Sequence, residues 1–297
     1  MARRWYMRRE LHLLAALVVA VLTVLFAAQR AADGARSALD GRLVAAGAGA
    51  DAAVVGVESE QLSAVRAIAF TRGVGAALTA RDGAALNRVV TPLQANSTVP
   101  MVDLVAPDGK VLLAVRSKGA PAPVASRRGL RALTQALETE NGARGGRLSE
   151  LAVFRSGAAL VTVSPILDGR RVAGAVLAMT PLADVLGRLA QEVGTDLTAY
   201  AADGTPLATT ATADPRPLDA STARALLGGG AIVTRSVSGG HREKLGRLIV
   251  DHTPNAVLGV SLADDSGATG RTVALYAGLG ILCLLVILGA LWVRRTP

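Results

Sequence analysis

Two long apolar runs near the ends of the chain constrain its architecture more than any other feature. The first extends over residues 11–28, and the second over residues 272–293, which contain no charged side chain. At about 1.5 Å per residue, a helix as long as the second run measures roughly 33 Å, close to the hydrocarbon thickness of a bilayer of about 30 Å. The sequence therefore predicts two transmembrane helices in contact with the lipid bilayer.

Basic residues next to the two runs predict the orientation of the chain. Residues 1–10 contain four arginines and one glutamate, and Arg294 and Arg295 follow the second run. Because Lys and Arg favour the cytoplasmic side, we expect residues 1–10 and 294–297 to be cytoplasmic tails of a two-pass protein of the cytoplasmic (inner) membrane. A cleaved signal peptide is the alternative for the first run, although the apolar region of such a peptide usually has about 7–15 residues.

The net charge of +9 arises largely from these flanks. The tails carry six Arg and one Glu, whereas the 26 basic and 22 acidic residues between them leave a net charge of only +4. Aromatic residues make up 3% of the chain, so few rings are present to stack on bases. We therefore expect no nucleic-acid partner. A single cysteine, Cys283, excludes an internal disulfide framework.

The segment between the runs contains one order of elements twice. Strand-like stretches flank Asp108-Gly109 in residues 99–117 and Asp203-Gly204 in residues 195–210, and Asp-Gly favours tight hairpin turns. Each hairpin is followed by a short helix and three strands. These are residues 127–138, 150–155, 158–166 and 172–179 in the first copy, and residues 219–227, 231–237, 244–251 and 257–262 in the second. We predict an α+β fold of two tandem modules, each a five-stranded antiparallel sheet with helices.

Helical patterns precede and join the two repeats. Apolar residues recur every three or four positions from Leu39 to Ile68, which predicts a long helix whose apolar stripe offers a face for a homodimer. A second helix is expected over residues 82–95. Pro181 begins a further helix between the repeats, since proline is tolerated in the first helical turn.

This arrangement resembles the double Cache sensors of bacterial receptors, in which two PAS-like modules follow a membrane anchor and a long helix. The resemblance lies in VDLVAPDGKVLLAV (102–115), LVTVSPILDGRRVAGAVLAMTPLADVLGRL (160–189), LTAYAADGTPLATT (197–210) and VLGVSLADD (257–265). It implies a helical stalk and second helix (29–96), a membrane-distal module (97–180), a linker helix (181–194) and a membrane-proximal module (195–265). The aromatic residues and aspartate of amino-acid sensors in this family cannot be matched here. Because such receptors usually continue into an output domain, we expect a partner protein to supply one, with a truncated receptor as the alternative.

Arginines near the first sheet are the candidate ligand-binding residues. In a PAS-like module the pocket lies between the sheet and the connection that carries the helix, here residues 117–148. Arg116 and Arg155 end strands, and Arg127 and Arg128 begin the connecting helix. Because guanidinium groups bind carboxylates through paired hydrogen bonds, we expect one or two of these arginines to bind a small organic anion. The alternative is that they are surface residues. The predicted polar neighbours of the anion are Asp103, Thr162 and Ser164.

The sequence contains no motif of a catalytic site. G-x-S-x-G, H-E-x-x-H and G-x-x-x-x-G-K-[ST] are all absent, so we expect no enzymatic activity and no cofactor. His241, Asp251 and His252 are interpreted as exposed polar residues rather than metal ligands. We expect a membrane-anchored extracytoplasmic sensor that binds a small ligand in its distal module and signals through its transmembrane helices. The alternative is a structural or interaction protein of the cell envelope without a small-molecule ligand.

Overall fold

The computed structural model describes residues 2–122, 126–138, 148–237, 241–263 and 278, with side chains described from residue 22 onward and at residue 19. These residues form six helices and ten strands. The helices are α1 (Ala2–Ala69), α2 (Val74–Thr79), α3 (Gly83–Ala95), α4 (Arg131–Glu138), α5 (Leu182–Val193) and α6 (Ala220–Leu227). The strands are β1 (Met101–Val105), β2 (Val111–Arg116), β3 (Leu148–Phe154), β4 (Gly157–Asp168), β5 (Arg171–Pro181), β6 (Asp196–Tyr200), β7 (Pro206–Thr209), β8 (Val233–Val237), β9 (His241–Val250) and β10 (Thr253–Ala263).

Two compact units make up the chain. Residues 43–238 and 242–262 form one unit, which contains nearly all of both sheets, and residues 2–42 belong to the other. Within the described residues, no helix is both long enough and apolar enough to cross a membrane. The predicted span 272–293 lies outside the described residues apart from Gly278, as do many side chains of the predicted span 11–28. The spans and the domain boundaries stay predictions.

Each repeat forms a five-stranded antiparallel sheet with the same strand order. The first sheet has the order β2-β1-β5-β4-β3, and the second has the order β7-β6-β10-β9-β8. The last strand of each repeat therefore lies at the centre of its sheet, next to the first strand. This topology confirms the predicted α+β class with two tandem PAS-like modules.

The hairpin turn that begins each repeat has the same geometry in both copies. Gly109 and Gly204 have φ angles of 80° and 86°, which glycine adopts without steric cost. The carboxylates of Asp108 and Asp203 each accept a hydrogen bond from the backbone amide two residues later, at 3.0 and 2.9 Å. Because the turn chemistry is local, the sequence was sufficient to predict both hairpins.

The distal sheet, formed by β1–β5, has a hydrophobic core on each face. Successive residues of a strand point to opposite faces, so Val102 and Leu104 pack with Ile68 of α1, whereas Met101 and Leu177 pack against α4. Burying a leucine or isoleucine side chain stabilises a fold by about 1.5–3 kcal/mol. The two cores fix the sheet between α1–α3 on one side and α4 on the other.

The apolar stripe of α1 is buried within its own chain. Leu43 and Val65 are fully buried, and Val65 belongs to the core beneath the distal sheet. The part of the stripe in residues 43–68 is therefore covered and is not the free dimer face that the periodicity suggested. The homodimer stays a prediction that needs another surface.

Candidate functional site

A cavity of about 560 Å³ lies on the α4 face of the distal sheet. Its volume falls in the range of about 300–1,000 Å³ that is typical of small-molecule sites. Met101, Leu130, Phe154 and Met179 contribute apolar side chains to its wall. Of the described residues that line it, three are arginines and none is acidic; the arginines are Arg127, Arg128 and Arg155. The cavity thus combines a positively charged rim with an apolar wall.

Arg127 is positioned from three directions. Its backbone amide donates to the carbonyl of Gly109 at 2.9 Å, so the hairpin turn fixes where the connection begins. Its Nε donates to Asp103 Oδ2 at 2.7 Å, and its guanidinium carbon lies 5.0 Å from the centre of the Phe154 ring. Only 6% of the residue is exposed. These contacts hold the guanidinium in one orientation at the cavity.

Asp103 forms ion pairs with two arginines at the base of this site. The residue is completely buried on β1; one carboxylate oxygen accepts from Arg127, and the other pairs with Nη2 of Arg116. Arg116 also donates through Nη1 to the carbonyl of Val102 at 3.1 Å. Two guanidinium groups around one carboxylate leave a net charge of +1. Because a buried charge without a partner costs free energy, removing any one of these three side chains would destabilise the fold.

Arg128 and Arg155 lie at the exposed part of the cavity. Arg128 Nε donates to the carbonyl of Asp108, and its side chain covers Gly109 so closely that an added Cβ there would lie 2.5 Å from Arg128 Cγ. Arg155 belongs to the turn between β3 and β4, where it is exposed. Both side chains are therefore accessible to an anion from solvent.

The structure brings together only some of the predicted site residues. Arg128 and Arg155 line the cavity, and Arg116 and Asp103 lie beneath Arg127 on the same face of the sheet. Thr162 and Ser164 instead lie on the opposite face, toward α1, where the hydroxyl of Thr162 donates to Gln61 Oε1 at 2.7 Å. The alternation of β4 explains this, since Val161 and Val163 occupy the face that packs with α4.

Arg127 is one of the four arginines that the sequence put forward, but the sequence did not single it out. It stood beside Arg128 at the start of the predicted helix, and nothing in the pattern showed which of the two would be buried. The only signal is the repeat itself. The backbone amide of Leu218, a buried residue, donates to the carbonyl of Gly204 at 2.9 Å, as the Arg127 amide does to Gly109. Arg127 therefore occupies a position that is buried in both modules.

The corresponding face of the proximal module, formed by β6–β10, is filled by its own polar side chains. The hydroxyl of Tyr200 donates to Glu243 Oε1 at 2.7 Å, and Arg235 Nε donates to Glu243 Oε2 at 2.6 Å. Glu243 is 1% exposed, and a Cβ at Gly259 would lie 2.1 Å from its Oε1. Burial, together with the Glu243 charge, raises the pKa of Tyr200 far above its ordinary value. The carboxylate and guanidinium here satisfy each other.

Solved structures with a similar fold include domains of a chemoreceptor and of other sensory proteins. A ligand-binding domain of the Campylobacter jejuni chemoreceptor Tlp3, solved in complex with 4-methylisoleucine, is 14% identical with a TM-score of 0.50, and the match covers 78% of this chain and 92% of that domain. A domain from Vibrio parahaemolyticus, assigned to the sensory box/GGDEF family, is 10% identical with a TM-score of 0.51 and coverages of 79% and 98%. The extracellular domain of vpHK1S-Z8, assigned as a histidine kinase, is 12% identical with a TM-score of 0.51 and coverages of 79% and 96%. No protein-family profile and no curated protein sequence matches the chain. At these identities the likeness concerns the fold alone, which the chain shares with these domains.

Proposed function

We propose that the chain is a membrane-anchored extracytoplasmic sensor whose distal module binds a small organic anion. The observation that carries this proposal is the cavity of about 560 Å³, whose described wall contains Arg127, Arg128 and Arg155 and no acidic side chain. Guanidinium groups in a partly apolar cavity bind carboxylates through charge-assisted hydrogen bonds. The chain shares its fold with a chemoreceptor ligand-binding domain that was solved in complex with a small molecule, which supports a ligand-binding role.

Signal passage through the membrane completes the proposal. The long helix α1 carries the predicted first span, and its residue Gln61 contacts β4 and β5 of the distal sheet. A ligand that favours one packing of the distal module shifts that equilibrium by its differential affinity, and α1 transmits the shift to a partner protein. The scaffold alternative expects a collapsed pocket, and the open cavity supports the sensor instead.

Ligand binding can be tested with the full chain purified in detergent. Thermal-shift measurements with a panel of mono- and dicarboxylates are expected to show stabilisation by at least one acid, because a ligand bound only to the folded state raises its stability. Arg155→Gln is expected to reduce that shift. Arg170→Gln, at an exposed position in the turn between β4 and β5, is the matched control and should leave the shift unchanged. Absence of any shift across the panel would overturn the proposal.

A further inference from the structure

The donors of Arg127 determine which chemical group the cavity can recognise. Its Nε is occupied by Asp103, and within the described part of the chain neither Nη atom has a hydrogen-bond partner. A guanidinium carries five N–H donors in a fixed planar fork, so four are not used by the residues that the structure describes. Because Asp103, the Phe154 ring and the Gly109 carbonyl already fix this residue, little side-chain entropy is lost when it binds a carboxylate.

Asp103, a buried carboxylate beneath the site, is not accessible to a ligand. Both of its oxygens face guanidinium groups, and the residue is completely buried and does not line the cavity. The lining residues that the structure describes include no carboxylate. An ammonium group in this cavity would therefore lose its hydration without gaining a counter-charge, and it would lie among arginines of like charge.

The apolar wall suits the remainder of the ligand. Met101, Leu130, Phe154 and Met179 offer an aliphatic and aromatic surface, and the polar side chains on the described wall, apart from the arginines, are Ser126 and Ser156. A ligand with many hydroxyl groups would leave most of them without partners against this surface. A short aliphatic chain instead removes apolar area from water on binding.

We propose, on the premise of the anion-binding function above, that the distal cavity is selective for aliphatic monocarboxylates and discriminates against the corresponding α-amino acids. Arg127 binds the carboxylate, the apolar wall covers the tail, and the internal pairing of Asp103 with Arg116 and Arg127 is the feature that excludes the ammonium group. Specificity is thus determined by a carboxylate that never contacts the ligand.

Three compounds with one carbon skeleton test this selectivity by calorimetric titration of the full chain in detergent. These are 4-methylpentanoate, L-leucine, which adds an ammonium group, and 4-methylpentan-1-ol, which lacks the carboxylate. We expect 4-methylpentanoate to bind at least tenfold more tightly than either of the others. Leucine binding as tight as or tighter than 4-methylpentanoate would overturn the selectivity while leaving the anion-binding function intact. If 4-methylpentanoate does not bind but another carboxylate from the thermal-shift panel does, the aliphatic preference alone would be overturned.

Arg127→Lys tests the assigned anchor. Lysine keeps the positive charge near Asp103 but cannot present two parallel N–H donors, so we expect binding of 4-methylpentanoate to weaken at least tenfold. Arg170→Lys is the matched control with unchanged affinity. A thermal melt of each variant verifies that it is folded. A folded Arg127→Lys protein with unchanged affinity would overturn the role of Arg127. If that variant does not fold, the comparison of the three compounds on the unmodified chain still decides the selectivity.

Discussion

At the scale of single residues, each module neutralises a buried carboxylate with its own side chains. Asp103 pairs with two arginines, whereas Glu243 pairs with Arg235 and accepts a hydrogen bond from Tyr200. Arg235 also donates to the carbonyls of Arg216 and Pro217, which lie in the connection before α6. Through Arg235, the cluster of Tyr200, Arg235 and Glu243 attaches this connection to the proximal sheet. The corresponding region of the distal module contains the open cavity.

Removing the Tyr200 hydroxyl should destabilise the proximal module. Tyr200→Phe leaves Glu243 Oε1 without this donor while keeping the ring, and an unsatisfied buried acceptor costs about 1–3 kcal/mol. We expect the free energy of unfolding to fall by about that amount in denaturant titrations at neutral pH. Thr212→Val, at an exposed site in the same module, is the control and should change the free energy of unfolding little. Equal stability of Tyr200→Phe and the unmodified chain would contradict the hydrogen bond.

The same hydroxyl predicts a loss of stability at alkaline pH. Burial beside Glu243 raises the pKa of Tyr200 in the folded state, so the folded protein retains a proton that the unfolded chain releases near its ordinary pKa of about 10. The stabilisation is complete below that pKa and is lost as the pH rises above it. We expect the free energy of unfolding to fall more steeply above about pH 10 in the unmodified chain than in Tyr200→Phe. Parallel pH curves for the two proteins would contradict the raised pKa.

At the scale of elements, the contact between α1 and the distal sheet includes a buried polar link. Gln61 is 1% exposed; its Nε2 donates to the Thr180 hydroxyl at 2.8 Å, and its Oε1 accepts from Thr162 at 2.7 Å. The Thr162 hydroxyl also lies 3.0 Å from that of Ser149 on β3. Because these bonds are directional, they add to the apolar contacts a constraint on the rotation and register of α1 on the sheet.

Replacing Gln61 should therefore weaken the attachment of α1. Gln61→Leu fills a similar volume but leaves the Thr162 and Thr180 hydroxyls with fewer partners in a buried site. We expect the free energy of unfolding to fall by about 1–3 kcal/mol. Gln191→Leu, on the exposed surface of α5, is the matched control and should change it by less than about 0.5 kcal/mol. A Gln61→Leu protein as stable as the control would show that the polar link contributes nothing.

Most helices and strands could be predicted from the sequence, but the residues that pack against each of their faces could not. The Asp-Gly hairpins and the helix after Pro181 follow from local chemistry, and the structure has them as expected. The apolar stripe of α1 was visible as a pattern, yet a pattern does not say whether a second chain or the same chain covers it. Strand alternation could have placed Thr162 opposite the cavity, because Val161 and Val163 are the apolar neighbours on β4. The burial of Arg127 depends on a contact with Asp103 across 24 residues, which no local rule supplies.

At the scale of the whole molecule, the two-pass topology can be tested with single cysteines. In a Cys283→Ser background, Thr212→Cys places a thiol at an exposed site between the predicted spans, and Thr296→Cys places one in the predicted cytoplasmic tail. We expect a membrane-impermeant maleimide to label only Thr212→Cys in cells with a permeabilised outer envelope and an intact inner membrane, and to label both after lysis. Protection of Thr212→Cys in those cells would contradict the topology.

The repeated turn has a consequence for how this architecture diversifies. The carbonyls of Gly109 and Gly204 each accept a hydrogen bond from a backbone amide of the connection in the same module. The donor is an arginine, Arg127, in one module and a leucine, Leu218, in the other. The attachment is thus carried by the backbone, so the side chain at this position can differ between the two modules. In a repeated module of this kind, a substitution at this position can change or remove ligand binding while the backbone hydrogen bond that holds the connection is kept.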